Sequence, residues 1–168
     1  MIKKVIINFL IIAAIIALSY TKLINFIGIY NVIPDILLIL VVFNGLFFGS
    51  MFGMVFGFCA GLAYDFSTYP LIGFYALIYL IIGVSTSVPE KKIDIEHFFV
   101  TVVLLFIFFI LKALLFLVIG SIFLKPQEIY YYFKDVFVIQ LLYTIGLSFP
   151  IFLIYKKIAS INRKTEKR

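Results

Sequence analysis

Between Asp35 and Asp65 the chain carries no charged residue, and glycine returns at every fourth position inside that stretch: Gly45, Gly49, Gly53, Gly57 and Gly61. A water-soluble core has no need of so long an uncharged run, whereas the ~30 Å hydrocarbon layer of a bilayer does. Composition agrees. Of 168 residues, 65% are hydrophobic and 13% charged, and the mean hydropathy is +1.23. Soluble domains are about half apolar and about a quarter charged. The expected class is an all-α, polytopic transmembrane helical bundle forming one domain over residues 1–155, followed by a basic tail, 156–168. A single cysteine, Cys59, gives neither a disulfide framework nor a CxxC pair.

Residues 1–4 are a basic start and 5–21 an uncharged run. That pattern reads as a first span acting as signal anchor, or as a signal peptide with a conceivable cleavage site at Ala17-Leu18-Ser19. Residues 22–33 form an interfacial connection. Pro34 then opens a helix, since its missing N–H costs nothing in a first turn, and Asp35 complements the positive helix end. As one helix, residues 36–64 would rise about 44 Å, too long without heavy tilt. Two short helices turning near 47–50 are preferred, with one tilted helix as the other reading. A turn follows at 65–69, with Ser67 and Thr68 as candidate caps before Pro70. The remaining spans are 71–88, 98–124 and 136–155, joined by a charged loop at 89–96 and a polar, tyrosine-rich link at 125–135. The six expected spans are thus about 5–21, 34–47, 50–64, 71–88, 98–124 and 136–155.

Lys and Arg give the orientation. Six spans with a cytoplasmic N-terminus put ten of the 14 bases inside, three outside and Lys112 within a span. Five spans give nine against four. Both termini are therefore read as cytoplasmic, with Asp35 and Asp65 on the outer side.

The glycines fall on one helix face and make a groove without side chains, which suits close helix approach where lipid supplies no hydrophobic drive. It packs against another helix of the same chain, or it receives a partner's helix; Gly45 and Gly49 could instead serve the bend. Lys112 marks either function or a snorkelling side chain. Asp35 and Asp65 are either site residues or interfacial helix ends. His97 reads as a solvated loop residue, Tyr130–Tyr132 as part of the outer aromatic belt, and the tail as a contact for anionic lipid or a cytoplasmic protein. No catalytic triad, P-loop, HExxH or nucleotide fingerprint occurs. The expectation is a non-enzyme with no metal, no cofactor and no nucleic-acid partner.

The run Pro34-Asp35-Ile36-Leu37-Leu38, then Gly45 and Gly49, then Gly53-x-x-x-Gly57-x-x-x-Gly61-x-x-x-Asp65, and finally Pro70-Leu71-Ile72-Gly73 with Ala76 resembles the signature of the MreD family of rod shape-determining membrane proteins. Where family members often carry basic residues at the turn after the second span, this chain has Phe47-Phe48-Gly49. The resemblance implies a non-enzymatic scaffold in the bacterial cytoplasmic membrane. Its implied partners are the transmembrane helix of MreC and, through MreC, the actin-like MreB, RodA and a class B penicillin-binding protein. It also implies a fold similar to the six-helix substrate-binding subunits of energy-coupling-factor vitamin transporters. The alternative function is therefore a transporter subunit holding a vitamin-like ligand near Asp35 and Asp65.

Overall fold

The computed structural model describes residues 32–68, 71–87 and 97–166. The chain divides into two units, Met1–Ile33 and Pro34–Arg168, and the fold below is that of the second. The expected span at 5–21, the charged loop at 89–96 and Pro70 lie outside the described residues.

Every element among the described residues is helical: α1 (Ile36–Phe48), α2 (Ser50–Thr68), α3 (Phe74–Ser85), α4 (Phe98–Phe123), α5 (Pro126–Tyr131), a π-helical turn (Tyr132–Val136) and α6 (Phe137–Glu166). Asp35 caps α1, its Oδ1 accepting from the Leu38 N–H at 2.9 Å, just after a proline that cannot continue a helix backwards. α1 ends at Gly49, whose φ of 104° lies in the left-handed region glycine tolerates. α2 begins at the next residue, so 36–64 is two helices.

α1 is the centre of the bundle. Every side chain from Leu37 to Leu46 is buried, which is why this helix is apolar on all sides. α2, α3, α4 and α6 all pack on it. α4, with 26 residues and mean hydropathy 3.2, and the stretch Pro126–Ile158, with 33 residues and mean hydropathy 2.1, are long and apolar enough to cross a membrane. α1, α2 and α3 are shorter apolar helices.

Three expected boundaries differ. Residues 65–68 are not a turn but the last turn of α2, because Asp65 is buried and spends its carboxylate on the start of α3, so its charge does not break the helix. The link at 125–135 is itself helical, opened by Pro126 in the first turn of α5. The last helix does not stop at Tyr155: α6 runs on to Glu166, with Pro150 inside it.

Candidate functional site

Several of the polar groups that the apolar sequence isolates meet in the interior of the bundle. Asp35, at the start of α1, lies in the interior with Lys112, which is halfway along α4. Lys112 Nζ donates to Asp35 Oδ2 at 2.5 Å, and both side chains are below 5% exposed. Asp35 Oδ1 also accepts from the Tyr79 hydroxyl of α3 at 2.8 Å. Its backbone N–H donates to Thr144 Oγ1 of α6 at 2.9 Å. One residue thus ties α1 to α3, α4 and α6. Around the ammonium stand the rings of Phe109, Tyr132 and Tyr75, with centroids at 5.7, 5.8 and 6.0 Å, the range of cation–π attraction.

The physical reason for the cluster is the cost of a bare charge away from water. A buried ion survives only if paired and hydrogen-bonded, and here the two charges cancel while the other carboxylate oxygen accepts from the Tyr79 hydroxyl and the Leu38 N–H. Among the described residues no buried side-chain polar atom lacks a partner. Lys112 therefore does not snorkel; it is held inside by its partner.

Asp65 makes a second node. Fully buried near the end of α2, it accepts from Gly73 N–H at 2.9 Å and Ala76 N–H at 3.1 Å on Oδ2, and from Tyr75 N–H at 3.1 Å on Oδ1. Three orphan donors at the start of α3 are satisfied by a carboxylate from another helix, at the end where the helix dipole favours negative charge. Gly73, with φ of 100°, turns the chain so that its N–H can join them.

The glycine face is occupied by this chain. A Cβ at Gly53 would stand 2.7 Å from Gly45 Cα, one at Gly61 would stand 2.5 Å from Ala76 Cα, and one at Gly57 would collide with the Tyr79 carbonyl. From the other side, a Cβ at Gly83 of α3 would stand 2.5 Å from the Gly53 carbonyl, and one at Gly45 would strike the Thr86 side chain. α1, α2 and α3 touch backbone to backbone along this line. Of the two readings of the glycine face, packing within this chain is the one these contacts describe: Gly45, Gly53, Gly57 and Gly61 face α1, α2, α3 or the Thr86 that follows it. Gly49 serves the break between α1 and α2.

Tyr79, Thr144 and Tyr75 were not singled out by the sequence, and Tyr132 was placed in the aromatic belt. Tyr130 and Tyr131 are exposed, but Tyr132 is buried, its ring 4.5 Å from that of Phe116. Farther along α1, Asn44 Nδ2 donates to the Tyr155 hydroxyl at 2.9 Å and to the Leu40 carbonyl. No group of three or more metal-ligating side chains occurs among the described residues.

Facing outward, α4 presents Val103, Ile107, Leu114 and Val118, and α6 presents Val138, Leu142, Phe149 and Leu153. Such apolar faces require lipid or another apolar helix. Helices of this length with outward apolar faces, and charge held inside as a neutral pair, define an integral membrane protein. The family profile of the rod shape-determining protein MreD matches residues 3–158. The chain belongs to that family of rod shape-determining proteins. No curated protein and no solved structure gives a match.

Proposed function

We propose that the chain is a non-enzymatic scaffold of the cell-elongation machinery, crossing the bacterial cytoplasmic membrane six times with both termini in the cytoplasm. It binds the transmembrane helix of MreC and so helps to couple peptidoglycan synthesis, carried out by RodA and a class B penicillin-binding protein, to the MreB cytoskeleton. The observation that carries this reading is the family match over residues 3–158, which gives the role in rod shape. The outward apolar faces of α4 and α6 support it, because they are surfaces a membrane-embedded partner needs, whereas the glycine face is already filled. Six spans, similar in number to the helices of the substrate-binding subunits of energy-coupling-factor transporters, follow if α1, α2, α3, α4 and α6 each cross and residues 5–21 form the first span.

The transporter reading draws no support from the site. Asp35 is bonded to Lys112 and Tyr79, and Asp65 to three backbone N–H groups; neither carboxylate is left to receive a ligand. The test is depletion in a rod-shaped host, combined with co-isolation of MreC on the tagged chain. Rounded cells and MreC in the eluate are expected. Rods of normal shape, or an eluate without MreC, would overturn the proposal.

A further inference from the structure

Two kinds of contact hold the described bundle together. α1, α2 and α3 meet backbone to backbone, at Gly45, Gly53, Gly57, Gly61 and Gly83, where not even a methyl group fits. α4 and α6 meet that block through side chains. Their links are aromatic, as in Phe74–Phe116 at 5.6 Å and Phe43–Tyr155 at 5.5 Å between ring centroids, and polar, through Asp35 to Lys112 and Thr144 and through Asn44 to Tyr155. α4 and α6 are also joined to each other by rings, Phe98–Phe149 at 5.1 Å and Phe109–Phe137 at 5.5 Å.

We infer that the bundle is built as two bodies, a block of α1, α2 and α3 and an arm of α4 and α6, and that the Asp35–Lys112 pair is the latch between them. Glycine contacts interlock main chains and resist sliding, because any shift drives backbone into backbone. Aromatic faces tolerate several offsets with little change in energy. The ion pair is different. It has one closed geometry, and opening it strips Lys112 of its carboxylate away from water while Asp35 keeps only the Tyr79 hydroxyl and the Leu38 N–H, so it gives the interface two discrete states.

The π-helical turn at Tyr132–Val136 lies at the point this device needs. Single π turns within helices are frequent at functional positions, and this one sets Tyr132 against Lys112, 5.8 Å from ring centroid to ammonium. A π turn holds one residue more than an α turn. Its return to α geometry would rotate Tyr132 by about 100° relative to α6 and take the ring off the ammonium. The π turn and the latch thus meet where the Tyr132 ring faces Lys112. This device stands whichever partner the chain binds.

The test uses the full chain in lipid nanodiscs, with Cys59 replaced by Ala, and spin labels on outward positions. One label pair, on Phe58 of α2 and Val118 of α4, spans block and arm; a second, on Val55 of α2 and Leu77 of α3, lies within the block. The parent should give one narrow distance for each pair. Asp35→Asn and Lys112→Met should each add a second, longer distance to the α2–α4 pair, its population rising about tenfold, the size of one polar link between membrane helices. The α2–α3 pair should stay as it was. Lys112→Met leaves no unpaired lysine, so it decides the matter if Asp35→Asn fails to accumulate. An unchanged α2–α4 distance in Lys112→Met, or equal broadening of both pairs, would overturn the latch.

Discussion

Lys112 and Asp35 are separated by 77 positions in the chain, yet they form an ion pair in the interior of the bundle. Each is the reason the other can be there. α4 carries no other charge from Phe98 to Phe123, and a lysine in its middle would be expelled toward water unless a carboxylate met it. Asp35 meets it while capping α1, so the same side chain starts the central helix and neutralises the charge brought by α4.

Removing one partner should therefore cost more than removing both. Asp35→Ala is expected to lower the unfolding free energy by about 3–5 kcal/mol, because it strands a buried ammonium. The double variant Asp35→Asn/Lys112→Met should lie closer to the parent. Thermal unfolding in mild detergent, followed by loss of the monodisperse peak, gives the comparison; additive single effects would contradict a direct coupling.

Glycine positions should divide sharply by what faces them. Gly57→Ala pushes a methyl group into the Tyr79 carbonyl and is expected to cost about 1–3 kcal/mol. Gly146→Ala, in α6 with nothing within 4 Å of the added carbon, should be neutral or stabilising by up to about 1 kcal/mol through helix propensity. The same unfolding assay applied to both variants checks the contrast.

Asp65→Ala frees three amide donors at once. Hydrogen exchange read by mass spectrometry should accelerate at Gly73, Tyr75 and Ala76 while α4 keeps its protection. Equal acceleration throughout would mean that Asp65 stabilises the whole bundle and not the start of α3.

Gly73→Ala tests the turn on its own. Its φ of 100° is strained for any residue with a Cβ, although space is open around it. A loss of about 1 kcal/mol is expected, smaller than that of Asp65→Ala, with partial loss of the Gly73 amide's protection.

What the sequence made legible was local. Pro34 and Asp35 announce the start of a helix by the chemistry of their own side chains, and the helix break falls at Gly49, where a left-handed residue is needed. Lys112 stood out because an uncharged run surrounds it. Its partner did not, because an ion pair across 77 positions leaves no trace in spacing. Tyr79 and Thr144 were hidden for the same reason, as ordinary residues of apolar helices. The four-residue glycine period revealed a groove but not its occupant: periodicity defines a face, and only tertiary packing decides what covers it. Asp65 looks like a turn residue because aspartate is common in turns; its bonds to Gly73, Tyr75 and Ala76 depend on α3 folding back. Tyr132 was grouped with its exposed neighbours because the π turn that swings it inward has no sequence signature. The helical continuation from Lys156 to Glu166 was masked by its charge, which reads as a solvated tail.

The proposed function requires this chain to hold a protein partner in the membrane. Native mass spectrometry of the chain, extracted gently from its own host membrane, tests that most directly. A stable complex with a second chain that has one transmembrane helix is expected. A small ligand bound to the chain, with no protein companion, would contradict it.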